Sequence, residues 1–592
     1  MWPFLLGIAL AANGAVAAEP VTPGTADPDK VLRYVLIRPE TGFDPAMSHD
    51  LYSAGVLQSI FETLYTYDYL ASPARLVPLT AEALPEVSAD GKTYTIRLKK
   101  GIYFADDAAF GGKRRELTMQ DYVYAWQRLF DPRLRSPNMW IFDGKILGMQ
   151  AWSKSLRDGK VNYDSPLAGL QLLDRYTLRV QLTQPDFNFV MMLAHQPSSP
   201  MAREVVEKYQ DENGQVAAHP VGTGAYALSR WVRGSRITLL ANPGYRGFIW
   251  NFKPGSDAVD SEIVARMHGK RMPQIGRIEL SVIVEDQARW LSFQQDQIDL
   301  LQLEGGLAPQ ALDDGKLKPE LAARGIYLSR GIDPEISYVF WNMRDPIVGG
   351  LSKEKIALRR AITMAHDSER EVDVVLNDQA KVLQYPIPPG VIGYDPDYRS
   401  SIRYAPKEAN QLLDRFGYKV GADGWRTQPD GSPLLIRYSR LAEGFGKLTA
   451  ETWKKTYESL RIRMSEDVRT FPAMLKADKE CSLQTRTLGW GADYPDGDNF
   501  MQLFAGPNIG QNNSGCVAIP EFDALYAESQ KMPAGPERDL LFHKMARLLE
   551  VYSPVMIGYA RYRNMLAQPR VIGYKRNPLL YAEWLYLDID KR

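Results

Sequence analysis

Short apolar runs alternate with amphipathic helical patterns along most of the chain. Continuous or every-second-residue apolar positions predict strands, and a recurrence every three to four residues predicts helices. The clearest predicted strands are VLRYVLI from Val31, YTIRLKKGIYF from Tyr94, Ala225 to Trp231 and ISYVFWNM from Ile336. The clearest predicted helices are a pattern through Leu51, Val56, Ile60 and Leu64, then KIALRRAITMAHD, KLTAETWKKTYESLRIRM and Pro536 to Tyr552. This alternation of strands and helices predicts an α/β protein.

Four local signals refine the pattern. Thr118 and Asp121 have the spacing of a capping box at a helix start, with Asp in place of the usual Glu or Gln. The helix that follows carries an apolar stripe that predicts core packing, at Tyr122, Ala125, Trp126 and Leu129. Farther on, the apolar runs IELSVIV and IDLLQL flank the helical ARWLSFQQ, which predicts a strand-helix-strand unit. The last long helix has Pro536 in its first turn, where proline is tolerated.

Length and composition limit the classes of function. A chain of 592 residues exceeds what one hydrophobic core normally supports, so two or three lobes are expected. The chain is 45% hydrophobic and 24% charged, as in a globular protein. Lys plus Arg number 71, as do Asp plus Glu, so no basic excess favours binding to nucleic acid or an anionic membrane.

The first residues predict an exported protein. Met1 to Ala18 has an apolar centre followed by small residues, which is typical of a signal peptide cleaved near Ala17 or Ala18. No later stretch of about 18 uninterrupted apolar residues predicts a membrane span. Because exported proteins reach an oxidising compartment, we expect Cys481 and Cys516 to form a disulfide. Two free buried thiols are the alternative.

The most informative stretch is TRTLGWGADYPDGDNFMQLF, from Thr485 to Phe504. A strand-like start is followed by Gly489 and Gly491 around Trp490, and then by carboxylate and amide groups among aromatic residues. Glycine lets a ligand approach the backbone closely. A carboxylate just beyond a flat indole, Asp493, is therefore suited to a small cation such as a primary ammonium. The alternative interpretation is a polar loop after a buried strand.

Several runs together resemble the extracytoplasmic solute-binding proteins of ABC importers, most closely the oligopeptide-binding members of the peptide-binding family. These runs are FDPAMSHDLYSAGVLQSIFETL, LTMQDYVYAWQRLFDPRLRSP, VGTGAYALSRWV, the Gln297-Ile298-Asp299 strand and GWGADYPDGDNF. They occur in the order of the family and span nearly the whole chain after residue 18. The resemblance implies the hinged, three-lobe fold of periplasmic peptide-binding proteins, with the ligand enclosed between lobes.

The resemblance also implies lobe boundaries. The expected units are the signal peptide at 1–18, lobe I at 19–61, 203–334 and 560–592, lobe II at 62–202, and lobe III at 335–559. Two hinge strands are expected near Ser337 to Asn342 and Met556 to Arg561.

The ligand-binding residues implied by the resemblance centre on Asp493, which would pair with the α-ammonium of a peptide. Trp490 would form a wall of the site, and the backbone of Gly491 would pair with peptide backbone as in a sheet. The other implied ligand-binding residues are Phe471, His49, Leu51 and Asn138. The family's oligopeptide binders have an arginine three residues before the motif tryptophan, where this chain has Thr487. The partner of a ligand carboxylate therefore stays open, with Lys476 and Lys479 as candidates.

The predicted function is capture of peptides and delivery to an ABC permease whose ATPase subunits are cytoplasmic. We expect a periplasmic monomer that binds no nucleic acid, has no catalytic residues and needs neither cofactor nor metal. A secreted enzyme is the first alternative, although the six histidines are scattered and no His-Glu-x-x-His or Gly-x-Ser-x-Gly motif occurs. A metal site at Asp493, Asp496 and Asp498 is the second. The nearest alternative is the same fold with a sugar, opine or metal chelate as solute.

Overall fold

The computed structural model describes residues 26–48, 50–156, 162–255, 257–303, 305–442 and 444–592, apart from the side chains of Phe471 and Pro472. The predicted signal peptide lies outside these ranges. In chain order the described strands β1 to β25 are Asp27–Leu36, Tyr65–Tyr67, Leu76–Pro78, Glu86–Val87, Thr93–Arg97, Leu170–Asp174, Thr177–Gln181, Tyr226–Val232, Arg236–Ala241, Phe248–Ile249, Arg271–Met272, Ile275–Val282, Leu300–Leu303, Leu312–Asp313, Lys316–Leu317, Tyr327–Ile332, Glu335–Trp341, Ala380–Val382, Leu435–Leu441, Arg463–Arg469, Thr485–Gly491, Val555–Ile557, Tyr559–Ala567, Val571–Ile572 and Asp588–Ile589. The described helices α1 to α17 are Leu51–Ile60, Met119–Arg128, Met149–Ser155, Phe189–Met192, Arg203–Tyr209, Ala258–Met267, Asp286–Gln294, Ala308–Ala311, Pro319–Ala322, Lys353–Ala365, Ser368–Leu376, Pro406–Arg415, Gly444–Ser459, Phe471–Lys479, Asp498–Met501, Pro520–Ser529 and Pro536–Tyr552. None of the helices in the described ranges is both long and apolar enough to cross a bilayer.

Three sheets organise the chain. The first has the strand order β16-β23-β13-β1-β12-β9-β8, with β18 also paired to β23. In it β12 and β13 lie on either side of β1, both parallel to it, and α7 connects them, so the predicted strand-helix-strand unit is confirmed. The second sheet has the order β20-β19-β21-β17-β22, and the third the order β4-β5-β7-β6. The mixed sheets and helices confirm the α/β class.

Local sequence signals placed several elements correctly. The capping box is present, because the Thr118 N–H donates to Asp121 Oδ2 at 2.7 Å and the Thr118 side chain accepts from the Asp121 N–H. The apolar stripe of α2 is buried. The last helix has the predicted bounds, with Pro536 in its first turn. The helix predicted through Met464 is wrong at its end, because α13 stops at Ser459 and Arg463–Arg469 forms β20.

The second sheet is buried on both faces. Along β17, Ile336, Tyr338 and Phe340 pack into one hydrophobic cluster, while Val339 and Trp341 pack into another. Successive side chains of a strand point to opposite faces. One strand therefore holds two cores together, and β21 lies against it.

Two of the chain's crossings between the first and second sheets are very short. One crossing is the short link at Asp333 between β16 and β17, and the other is Gly558 between β22 and β23. Ion pairs flank both crossings: Arg561 Nη2 lies 2.7 Å from Glu335 Oε2, and Arg563 Nε lies 2.8 Å from Asp333 Oδ2. The crossings are therefore adjacent and joined by paired charges.

A disulfide joins Cys481 to Cys516, so that prediction is confirmed. The two Cα atoms are 6.1 Å apart, and the cysteines are separated by 35 positions in sequence. The bond connects the end of α14 to the loop before α16.

Replacing both cysteines by serine is expected to lower the free energy of unfolding by about 4 kcal/mol, because a closed loop of this length restricts the unfolded chain. Urea unfolding of the double variant and of the oxidised wild type measures the difference, and the reduced wild type should resemble the variant. A difference below about 1 kcal/mol would contradict the loop-entropy argument.

Candidate ligand-binding site

One edge of strand β21 is largely unpaired. The strand pairs with β17 along its whole length, from Thr485 to Gly491, whereas β19 pairs with it only at Thr485. The N–H of Ala492 continues the ladder by donating to the Pro334 carbonyl at 2.8 Å. Because backbone bonding in an antiparallel pair alternates along the strand, the backbone groups of Gly489 and Gly491 point to the other edge. This edge is open to an extended ligand backbone.

Asp493 follows this strand and is half-buried. Its Oδ2 accepts a hydrogen bond from Asn499 Nδ2 at 3.0 Å, and its N–H donates to Asn499 Oδ1 at 3.1 Å. Trp490 Nε1 donates to the same Oδ1 at 3.0 Å. Within the described ranges, Asp493 forms no ion pair with a Lys, Arg or His side chain. Burial raises the pKa of the Asp493 carboxyl, and the bond from Asn499 opposes that rise.

Residues outside the second sheet approach Asp493. Burial, and then the charge of Asp493, raises the pKa of Tyr581 to about 12, so the Tyr581 hydroxyl lies within electrostatic range of this carboxylate. Gln58 of α1 holds Tyr581 in place by accepting its backbone N–H at 2.8 Å. Tyr494, the neighbour of Asp493, is buried in the hydrophobic cluster that includes Leu32 of β1. The loop that carries Asp493 therefore packs into the same hydrophobic cluster as β1 of the first sheet.

The next two acidic residues have protein partners. Asp496 is buried and pairs with Arg538 Nη2 at 2.5 Å. Its second oxygen accepts from Asn188 Nδ2 at 3.3 Å, which connects it to the segment that follows the third sheet. Asp498 Oδ2 accepts from the Tyr494 hydroxyl at 2.7 Å. Burial, followed by the charge of Asp496, raises the pKa of Asp498.

The position where oligopeptide binders have an arginine is neutral. Thr487 Oγ1 lies 2.6 Å from the Tyr438 hydroxyl. Its neighbour Arg486 pairs with Asp478, with Nε 3.0 Å from Oδ1, on the opposite face of the strand. Lys476 and Lys479 are exposed on α14, and Lys476 Nζ lies 3.8 Å from Glu480 Oε1. Their role with a ligand carboxylate stays a prediction.

The remaining predicted site residues are spread over other elements. His49 lies outside the described residues, and Phe471 begins α14 with its side chain also outside the description. Leu51 begins α1 and is 62% exposed. Asn138 is buried, and its Nδ2 donates to the Ser48 carbonyl at 2.8 Å, so it holds the loop before α1. The structure thus brings together Trp490, Gly491 and Asp493.

Three residues near the site were not predicted as site residues. Asn499 bonds both the indole and the carboxylate, Tyr581 lies within electrostatic range of Asp493, and Asn188 contacts Asp496. Asn499 could have been identified as a site residue from its position in the stretch from Thr485 to Phe504. The other two contacts join positions far apart in sequence, which no local pattern reveals.

Two concavities lie away from Asp493. A groove of about 530 Å³ runs between α16 and α17, and a cavity of about 250 Å³ is lined by residues including His366 and Glu550. In the described part of the chain, no group of three or more His, Cys, Asp or Glu side chains is placed to hold a metal ion.

Residues 75–512 match the family described as bacterial extracellular solute-binding proteins, family 5 Middle. The chain is 25% identical to the periplasmic oligopeptide-binding protein OppA of Salmonella typhimurium, covering 98% of this chain and 97% of that protein. It is 24% identical to heme-binding protein A of Haemophilus influenzae, covering 94% and 92%. The structure of DppA from Helicobacter pylori in complex with the peptide STSA superposes with a TM-score of 0.71, at 20% identity, over 95% of this chain and 99% of that one.

The chain is a family 5 bacterial extracellular solute-binding protein. This confirms the predicted family, and the superposition confirms the multi-lobe binding-protein fold. The family is one of solute-binding proteins, so the comparisons give the secreted-enzyme alternative no support.

The unpaired carboxylate of this solute-binding protein predicts how its ligand-free stability depends on pH. At about pH 7, Asp493→Asn should raise the melting temperature, because the folded state no longer holds a desolvated charge. The folded-state pKa is raised above the ordinary value of 3.8, so the gain should fade as pH falls through the folded-state pKa and vanish below 3.8. Thermal unfolding between about pH 3 and 7 measures this. A gain that persists at the acidic end would contradict the assignment.

Proposed function

We propose that this protein binds peptides that have a free α-ammonium, encloses them between hinged lobes and delivers them to an ABC permease. The observation that carries the proposal is Asp493, a partly buried carboxylate for which the described residues supply no cation. Removing such a charge from water is costly unless a partner is present. A ligand ammonium would supply that partner.

The charge-assisted bond gives one fixed point of recognition. Truncating one partner of a buried charge pair typically costs 2 to 5 kcal/mol. The Trp490 indole beside the carboxylate offers a flat apolar wall for the first part of the ligand. Because every peptide with a free amino terminus has this ammonium, the contact does not depend on sequence.

The open edge of β21 offers the second shared contact. Gly489 and Gly491 direct backbone groups to this edge, and a Cβ added at Gly491 would meet nothing within 4 Å. A peptide could add there as an extended strand, a mode in which backbone bonds supply affinity and side chains are read loosely. The open edge therefore favours a peptide as the ligand over a solute that lacks a repeating amide backbone.

We assign the lobes as 19–61, 203–334 and 560–592 for lobe I, 62–202 for lobe II and 335–559 for lobe III. The three sheets support this division, because nearly all their strands fall within one lobe each. Exceptions are β18, which pairs with β23 of the first sheet, and β23 itself, which begins one residue early at Tyr559. Closure would bring Tyr581 of lobe I and Asn188 of lobe II to the Asp493 loop. A permease would recognise the closed form.

The rest of the proposal concerns location and partners. The protein would act in the periplasm as a soluble monomer after removal of residues 1–18. ATP hydrolysis would belong to cytoplasmic subunits of the importer. The protein itself would catalyse no reaction.

A non-peptide solute is the alternative, favoured by the likeness to heme-binding protein A. Native mass spectrometry of protein purified from cells distinguishes the two. Copurified peptides of mixed mass support the proposal. A single non-peptide species, such as heme or another metal chelate, would replace it.

The central prediction concerns the free amino group. Asp493→Ala should weaken binding of a free-amine peptide by roughly 30- to 4,000-fold, since each 1.4 kcal/mol is tenfold in affinity. Binding of the same peptide with an acetylated amino terminus should change little. Isothermal titration calorimetry of both peptides with wild type and variant gives the comparison.

Asp523→Ala is a matched control for this experiment. Burial raises the pKa of Asp523 as well, and its carboxylate accepts one hydrogen bond, from the Gly506 N–H at 2.7 Å. The Asp523→Ala substitution should leave the affinities of both peptides unchanged. If Asp493→Ala weakens the two peptides equally, Asp493 does not bind the ammonium.

A further inference from the structure

Asn499 uses its side-chain amide to connect three parts of the site. It is fully buried at the second position of α15. Its Oδ1 accepts from Trp490 Nε1 at 3.0 Å and from the Asp493 N–H at 3.1 Å, and its Nδ2 donates to Asp493 Oδ2 at 3.0 Å. Indole and backbone N–H groups can only donate, so they fix which end of the amide faces them. The N–H end of the amide must therefore face the carboxylate.

This arrangement leaves one carboxylate oxygen for a ligand. Oδ2 of Asp493 is occupied by Asn499, while in the described ranges no side chain donates to Oδ1. The same amide holds the Trp490 ring, so the indole and the carboxylate cannot rotate independently. A site whose groups are already oriented loses less conformational entropy on binding.

We propose that Asn499 is the positioning residue of the ammonium site, locking the Asp493 carboxylate and the Trp490 indole into one geometry before the ligand arrives. This inference rests on the proposed function of Asp493. Asn499 itself would not touch the ligand. Its effect would be to present Oδ1 beside the indole and to favour the ionised carboxylate by donating to it.

The chain contains a matched control in Asn513. Asn513 is also buried and makes three side-chain hydrogen bonds, from Nδ2 to the Ala505 and Val517 carbonyls at 2.9 and 2.8 Å and to Oδ1 from the Val517 N–H at 3.0 Å. It contacts neither Trp490 nor Asp493 through these bonds. Asn513→Ala thus reproduces the structural loss without disturbing the site.

The first measurement is peptide affinity as a function of pH. Asn499→Ala should weaken binding of a free-amine peptide by about 10- to 100-fold at about pH 7, as expected for loss of a bond to a charged group. The loss should grow toward about pH 5, because the carboxylate without its donor protonates more readily and a neutral acid does not pair with an ammonium. Asn513→Ala should leave the affinity and its pH profile as in wild type. Equal profiles for the two variants, or no change in either, would overturn the proposal.

A second variant keeps the test decisive if Asn499→Ala does not fold. Asn499→Asp retains an acceptor for Trp490 and for the Asp493 N–H, but it places two carboxylates side by side. Such a pair shares one proton and titrates together. Ammonium binding would release that proton. The affinity of Asn499→Asp for a free-amine peptide should therefore rise from about pH 5 to 7 more steeply than that of wild type. A profile like that of wild type would contradict the positioning role.

A ligand-free measurement separates this inference from the proposed function. The pH at which the stability gain of Asp493→Asn begins to fade should move upward in the Asn499→Ala background, because that pH follows the folded-state pKa of Asp493. If it does not move while free-amine peptides are still preferred, the positioning role is wrong and the function stands. If it moves while acetylated peptides bind equally well, the positioning role stands and the ammonium assignment is wrong.

Discussion

The proposed site depends on one carboxylate, Asp493, to which none of the described side chains supplies a cation. Most acidic side chains near the site have partners: Asp496 pairs with Arg538, Asp333 with Arg563 and Glu335 with Arg561. From the described side chains, Asp493 instead receives only the hydrogen bond of Asn499, although burial disfavours its charged form. Such a group destabilises the ligand-free fold, which is why we propose that a ligand supplies its partner.

The site is made by elements that meet only in the folded chain. Trp490 lies in β21 and Asp493 in the loop that follows it. The backbone of Tyr581 is bonded to Gln58 of α1, and Asn188, in the segment after the third sheet, donates to Asp496. Each contributing segment belongs to a different proposed lobe. A solute bound at Asp493 would therefore lie where lobe movement changes its exposure to water, which couples binding to closure.

Sequence patterns predicted what is determined locally. The capping box of α2, the proline start of α17 and the strand-helix-strand unit were found because neighbouring residues decide them. Strand β20 was missed because its charged, alternating residues follow an amphipathic helix without a proline or glycine between them. The family motif pointed to Asp493 and Trp490, but the contacts of Tyr581 and Asn188 depend on tertiary packing. Asn138, predicted to bind ligand, has its amide bonded to the backbone before α1.

The two short crossings between the first and second sheets are suited to a hinge. The lobes could move relative to each other about them while the hydrophobic core of each lobe stays packed. Each crossing is only a few residues long, and the Glu335–Arg561 and Asp333–Arg563 pairs bind them side by side. The hydrophobic clusters on the two faces of the second sheet are separate from the cluster beneath the first. A rotation about the paired crossings therefore changes few buried contacts within either unit. A ligand shifts the equilibrium between open and closed forms by its difference in affinity for the two, and an ammonium–carboxylate bond made only in the closed form would supply a few kcal/mol of that difference.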